Sequence, residues 1–210
     1  MTQVLEDLYE RVVQGKKSEA EALVSQALGA GIPAEAILND GLIKAMQEVG
    51  ARFERAEFYV PEMLVAARAM QSGLAVLRPH LVAQGIPAAG KVVMGTVKGD
   101  LHDIGKNLVA MMLEGAGYEI IDLGTDVAPE KFAHAVREHG ADFIGMSALL
   151  TTTMQNMKSV VEAIEDLGLR QKVRILVGGA PVTDHFAKDI GADGYAPDAS
   201  RAVALAKSLS

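Results

Sequence analysis

The chain has 210 residues, room for one generous domain or two compact ones, and its 50% hydrophobic and 22% charged content marks it as folded rather than disordered. Basic residues number 8 against 11 acidic over 1–88 and 12 against 16 over 89–210, so neither half offers the basic surface that nucleic acid binding requires. Zero cysteines exclude disulfides, iron–sulfur clusters and thiolate zinc sites, no apolar run reaches the roughly 18 residues of a membrane span, and the N-terminus is acidic rather than a cationic signal peptide; the expected setting is a reducing cytoplasm.

Val4, Leu5, Leu8 and Val12 follow helical spacing up to a stop at Gly15, giving a short first helix. Ser18 with Glu21 three residues later reads as a capping box for a second helix through Leu23, Val24, Ala27 and Leu28, ended by Gly29 and Gly31. Pro33 suits the first turn of a third helix carrying Ile37, Leu38, Leu42, Met46, Val49 and Phe53. Pro61 opens a fourth through Met63, Leu64, Ala67, Met70, Leu74, Leu77 and Leu81. Short connections between amphipathic helices predict an all-α, antiparallel four-helix bundle. Gly85-Ile86-Pro87-Ala88-Ala89-Gly90 interrupts this spacing, which places a boundary between a helical domain, 1–88, and a second domain, 89–210.

From there strands alternate with helices. The spacing predicts strands at 91–97, Glu119–Leu123, Phe143–Ser147 and Val173–Val177, with a weak fifth near Gly194–Ala196. Helices are expected near 107–113, Pro129–Glu138, Met154–Leu167, Thr183–Ile190 and Ala199–Leu209. Such alternation implies an α/β, doubly wound, flavodoxin-like parallel sheet of about five strands, order 2-1-3-4-5. Ligands of these sheets sit beyond the carboxyl ends of the strands at the switch point, here between strands 1 and 3. The loops after strands 1, 3 and 4 are therefore where chemistry is to be sought.

The first of these runs from Lys98 to Asn107. It is not a P-loop, because five residues separate Gly99 from Gly105 and Asn107 stands where a magnesium-holding Ser or Thr is needed. What remains is Asp100 two residues before His102, a spacing that can set a carboxylate against one imidazole nitrogen while the other points outward. The alternative is that Asp100 caps the next helix and His102 is a solvated loop residue. The loop after strand 3 carries Ser147, Thr151, Thr152 and Thr153, hydroxyls able to bind a polar ligand, brace Asp100 or cap a helix. After strand 4, Gly178-Gly179 permits either close backbone approach to a ligand or a tight turn.

Together, Asp100-x-His102-x-x-Gly105, Ser147-x-Leu149 and Gly178-Gly179 resemble the cobalamin-binding domain of corrinoid-dependent methyltransferases and mutases. The likeness extends through Asp103-Ile104-Gly105-Lys106-Asn107 and Asp122-Leu123-Gly124. The helical half is similar to the cap of cobalamin-dependent methionine synthase at Tyr59-Val60-Pro61 and Ala67-Arg68-Ala69-Met70; Thr153 replaces a serine of that protein and keeps the hydroxyl. The resemblance implies a cobamide bound base-off with His102 as lower axial ligand to cobalt, Asp100 bonded to the far imidazole nitrogen and Thr153 to Asp100. It further implies cofactor contacts from Asp103, Ile104, Gly105, Ser147, Leu149, Thr151, Gly178 and Gly179, and upper-face cap contacts from Tyr59, Met63 and Met70.

The function so implied is that of a corrinoid protein of a three-component system, a methyl carrier with no complete active site of its own. It would pass a methyl group from a substrate:corrinoid methyltransferase to a corrinoid:acceptor methyltransferase, the acceptor being tetrahydrofolate or a thiol, and be served by a reductive activation protein; no nucleic acid or membrane partner is expected. The alternatives are the small subunit of a carbon-skeleton mutase, disfavoured by the helical half, and a cobalamin-dependent sensor, disfavoured by the lack of an added signalling module. A cofactor-free receiver domain would need an Asp where Ser147 ends strand 3.

Overall fold

A computed structural model describes residues 2–210, which divide into two compact units: 2–89 with 114–117, and 90–113 with 118–210. The helical unit contains α1 (Gln3–Val13), α2 (Lys17–Gly29), α3, and α4 (Val60–Ala83). Helix α3 is α-helical over Ala34–Ala36, π-helical over Ile37–Ile43 and α-helical again over Lys44–Glu54. Its centre bears against α1, where Gly41 is required: a Cβ there would lie 2.6 Å from Leu8 Cδ2. Leu5, Leu8, Val12, Val24, Leu42, Met46, Val49, Leu74 and Leu77 form the buried interior.

Two local expectations for this unit are corrected. Helix α2 begins at Lys17 with no side-chain cap, so the Ser18–Glu21 capping box does not form. Pro33 stands just before the first turn of α3 rather than inside it, in extended backbone (φ −56, ψ 137). Met63 and Met70, expected at a cofactor face, are 0% and 1% exposed, whereas Tyr59 is 64% exposed. The start of α4 is set instead by Glu62, whose carboxylate accepts the Tyr59 N–H at 3.0 Å, with Pro61 in the first turn.

The second unit is a five-stranded parallel sheet of order β2-β1-β3-β4-β5, as the alternation predicted. Its elements are β1 (Lys91–Thr96), α5 (Ile104–Gly115), β2 (Glu119–Asp122), α6 (Pro129–His139), β3 (Phe143–Ser147), α7 (Thr151–Met154), α8 (Asn156–Asp166), β4 (Arg174–Gly178), α9 (Asp184–Asp189), β5 (Gly194–Tyr195) and α10 (Ala199–Leu209). Helix α5 starts three residues earlier than the periodicity indicated, so its first turn belongs to the loop under scrutiny. Both faces of the central strands are covered, as parallel strands require. Val93, Val97, Ile144, Met146, Ile175 and Val177 point to one layer with Phe132 and Val136 of α6 and Met157, Val160 and Ile164 of α8. In the register Thr96 pairs with Ser147, which pairs with Gly178, so strands 1, 3 and 4 end level and their loops emerge side by side.

Candidate functional site

The centre of this edge is Asp100. Its carboxylate is fully buried and accepts five hydrogen bonds from two loops. Oδ1 takes the His102 N–H at 3.0 Å and the His102 ring Nδ1 at 2.7 Å. Oδ2 takes the N–H groups of Leu149 at 2.8 Å and Leu150 at 3.3 Å, and the Thr153 hydroxyl at 2.6 Å. One side chain thus ties the loop after β1 to the loop after β3 across the switch point.

Burial acts to raise the carboxyl pKa, but hydrogen bonds from the Thr153 hydroxyl, the Leu149 and His102 N–H groups and the His102 ring outweigh it and hold Asp100 well below the usual carboxylate range. An ionised carboxylate can only accept, so His102 Nδ1 carries its proton toward Asp100 and the neutral ring leaves Nε2 with a lone pair. The His102 side chain is 51% exposed, so the ring is anchored on one edge and half open to its surroundings. Asp100 is therefore not a helix cap and His102 is not a merely solvated residue. An imidazole held in this way, one nitrogen anchored by a carboxylate, is able to ligate a metal through the other.

The remaining candidates are placed as follows. Asp103 precedes α5, where its carbonyl accepts the Asn107 N–H at 2.8 Å and its carboxylate the Asn107 amide at 3.0 Å. Ile104 is 79% exposed, and an added Cβ on Gly105 would meet nothing within 4 Å, so the first turn of α5 has open space beside it. Leu149 contributes both its N–H to Asp100 and a half-exposed side chain. Among the described residues the Ser147 and Thr151 hydroxyls have no hydrogen-bond partner, while Thr153 is the buried hydroxyl that meets Asp100. The Gly178-Gly179 pair has a structural reason of its own: a Cβ on Gly179 would lie 1.9 Å from the Ala148 carbonyl oxygen, and one on Gly178 3.0 Å from that of Ala196. Asp100, His102, Leu149 and Thr153 are joined by direct bonds, Ser147 and the glycines flank them, and Tyr59, Met63 and Met70 belong to the helical unit.

Several residues of the site had no role assigned to them by the sequence pattern. Thr96, fully buried at the end of β1, donates its hydroxyl to the His102 carbonyl at 2.9 Å. Leu101 (72% exposed) and Leu150 (44%) join Ile104 and Leu149 in an apolar rim on the two loops that hold His102. The loop after β2 is also engaged: Asp126 accepts the Gly99 N–H at 2.7 Å and donates its own N–H to the Asp100 carbonyl at 3.0 Å. The buried Lys106 ammonium bonds both Asp122 oxygens, at 2.6 and 2.5 Å, pinning α5 to the end of β2. Thr96 at a strand end and the Gly124-Thr125-Asp126 turn are the signals that could have revealed the first and third of these.

The B12 binding domain family matches residues 90–204, and a second B12 binding domain model matches 4–78. The chain belongs to the B12-binding family. As a corrinoid protein it is 46% identical to the dimethylamine corrinoid protein of Methanosarcina barkeri, over 99% of this chain and 97% of that one. Among solved structures it is similar to the methanol:cobalamin methyltransferase complex MtaBC of Methanosarcina barkeri (TM-score 0.88, 26% identity, 99% of this chain and 79% of that chain). It is also similar to the monomethylamine corrinoid protein of Methanosarcina barkeri (TM-score 0.55, 34% identity, 99% of each chain). The residues of this B12-binding chain fit a corrin. Among the described residues no group of three or more His, Cys, Asp or Glu could hold a metal, whereas one outward imidazole suits a metal whose equatorial nitrogens come with a macrocycle. No helix of the described residues is long and apolar enough to cross a membrane.

Proposed function

We propose that this corrinoid protein carries a methyl group between two methyltransferases and holds its cobamide base-off, with His102 Nε2 as the lower axial ligand. The single observation that carries the ligand assignment is the anchored His102 ring: Asp100 holds Nδ1 at 2.7 Å while the side chain stays 51% exposed. When bound, the corrin's cobalt supplies the centre that accepts and releases the methyl group. The chain's residues bind and orient. Asp100 keeps the imidazole in one tautomer, Thr153 and the Leu149 N–H hold Asp100 in place, and the exposed Leu101, Ile104, Leu149 and Leu150 would offer the bound group apolar surface.

Cofactor contacts from Asp103, Gly105, Ser147, Thr151, Gly178 and Gly179 belong to the same reading; the free hydroxyls of Ser147 and Thr151 beside the switch point are suited to the displaced nucleotide tail. A substrate:corrinoid methyltransferase is the first partner, supported by the methyltransferase complex of the structural relative, and the relatives' dimethylamine and monomethylamine make a methylamine-specific enzyme the one to test. A corrinoid:acceptor methyltransferase and a reductive activation protein complete the cycle. No observation on the chain favours the mutase or sensor readings.

The test is reconstitution of the purified chain with cobamide, read by absorbance, elemental cobalt and electron paramagnetic resonance of the Co(II) form, followed by addition of a methylamine methyltransferase and methylamine. Stoichiometric cobalt, an axial nitrogen coupling that His102→Ala abolishes, and a substrate-dependent absorbance change are expected. A colourless protein without cobalt overturns the assignment, and a coupling unchanged in His102→Ala overturns the ligand.

A further inference from the structure

The bond that orients the His102 ring comes from Asp100, and the backbone that places Asp100 is itself held by a residue outside the three loops of the site. Asp126 lies in the loop between β2 and α6, with φ +52 in the left-handed region. For a residue with a Cβ this conformation is uncommon, and aspartate and asparagine are among the few that adopt it readily. Its carboxylate Oδ1 accepts the Gly99 N–H at 2.7 Å, and its N–H donates to the Asp100 carbonyl at 3.0 Å. The two bonds have opposite polarity and close on either side of the Gly99–Asp100 peptide, so they fix both the position and the rotation of the residue that carries the anchoring carboxylate. Gly99 is itself left-handed at φ +79, so the chain on that side has a glycine's freedom and needs an external restraint.

The rest of the same loop is registered on β1. Thr96 N–H donates to the Gly124 carbonyl at 2.9 Å, and Val127 N–H donates to the Thr96 carbonyl at 3.0 Å. Thr96 in turn donates its hydroxyl to the His102 carbonyl. The loop after β2 therefore meets the His102 loop at its beginning, through Thr96, and at its middle, through Gly99 and Asp100.

We infer that Asp126 is a positioning residue for the axial histidine, acting through the Gly99–Asp100 backbone to hold the Asp100 carboxylate where it fixes the His102 tautomer. This rests on the reading of His102 as axial ligand. The acceptor oxygen and the left-handed backbone make separable demands, which allows a clean test. Asp126→Gly keeps the left-handed conformation at no steric cost but deletes the acceptor; Asp126→Asn keeps both and deletes only the charge.

The experiment compares wild type, Asp126→Gly, Asp126→Asn and His102→Ala as full-length chains. In the cobalt-free protein, the ¹⁵N resonances of the His102 ring and amide exchange at Leu149 report the anchoring directly; after loading with cobamide, the dissociation constant and the axial nitrogen coupling of Co(II) report its consequence. Asp126→Gly is expected to keep its melting temperature, shift the His102 ring resonances toward a tautomer mixture, speed exchange at Leu149 and weaken cobamide binding by about tenfold, the lower end of losses for partners behind a ligand. Asp126→Asn is expected to restore the wild-type ring spectrum and affinity. Wild-type ring resonances and exchange in Asp126→Gly overturn the proposal, as does an asparagine variant no better than glycine. Failure of the underlying reading is distinct: there the coupling persists in His102→Ala, whereas the cobalt-free spectra still decide whether Asp126 orients the ring.

Discussion

Replacing Asp100 by asparagine removes one negative charge and changes no volume, yet five bonds say it is not conservative. The carboxylate accepts on both oxygens, whereas an amide has one acceptor and one donor group. With its oxygen toward His102, the amide's NH₂ faces the Leu149 N–H at 2.8 Å and the Leu150 N–H at 3.3 Å. Turned over, it faces the His102 N–H at 3.0 Å and the ring Nδ1 at 2.7 Å. Only the Thr153 hydroxyl can adapt by rotating. At least one buried N–H is left unpaired, at about 1–3 kcal/mol, and the surviving bonds lose their charge assistance, so the total destabilisation is expected near 2–4 kcal/mol. At roughly 2–4 °C per kcal/mol for a chain of this size, the melting temperature should fall by about 4–16 °C. The folded carboxyl lies below its unfolded value, so its contribution is complete at neutral pH and is lost as pH falls below about 4 toward the folded pKa. Urea unfolding of cobalt-free protein at pH 7 and across pH 5 to 3 is the assay. A variant as stable as wild type at pH 7, or a stability difference that stays constant into acid, would refute the reasoning.

His102→Ala should cost less than about 1 kcal/mol of fold stability, because the side chain is 51% exposed, and should nevertheless cost more in axial ligation than Asp100→Asn; opposite rank orders in unfolding and in paramagnetic resonance are the signature. Gly179→Ala should prevent accumulation of folded protein or lower its stability by more than about 3 kcal/mol, since the Cβ meets the Ala148 carbonyl at 1.9 Å on a backbone at φ +120; soluble yield and denaturant midpoints measure this. The Lys106–Asp122 pair is asymmetric, with side chains 1% and 41% exposed. Asp122→Ala strands a buried ammonium and should cost about 3–5 kcal/mol, while Lys106→Met leaves only a surface carboxylate and should cost much less; equal losses would contradict the burial argument.

The sheet order and the contact between Asp100, His102 and Thr153 were legible because they rest on strand periodicity and on residues whose side chains do the bonding. What was not legible depends on backbone geometry or on which apolar side chain faces inward. The π-helical turn at Ile37–Ile43 preserves the apolar spacing on both sides of it, so the spacing alone reads as one α-helix. Met63 and Met70 carry the same periodic signal whether they face a ligand or a packed interior, and in this structure both are buried. Gly178-Gly179 announces close backbone approach without naming the neighbour, which includes the chain's own Ala148 and Ala196. Asp126 acts with its backbone N–H as much as its carboxylate, and only the fold brings it to Gly99, 27 positions away.

The bonds to Asp100 Oδ2 come from residues 49, 50 and 53 positions further along the chain. On a ribosome adding about 5–20 residues per second, His102 emerges some 3–10 s before the donors that immobilise its anchor have been made. Until β3 has docked beside β1, Asp100 has its local partners only, and the histidine is one more mobile side chain on an unfinished sheet. The site is therefore a late product of folding: a nascent chain stopped short of Thr153 contains the whole Asp-x-His motif and lacks the geometry that gives it meaning.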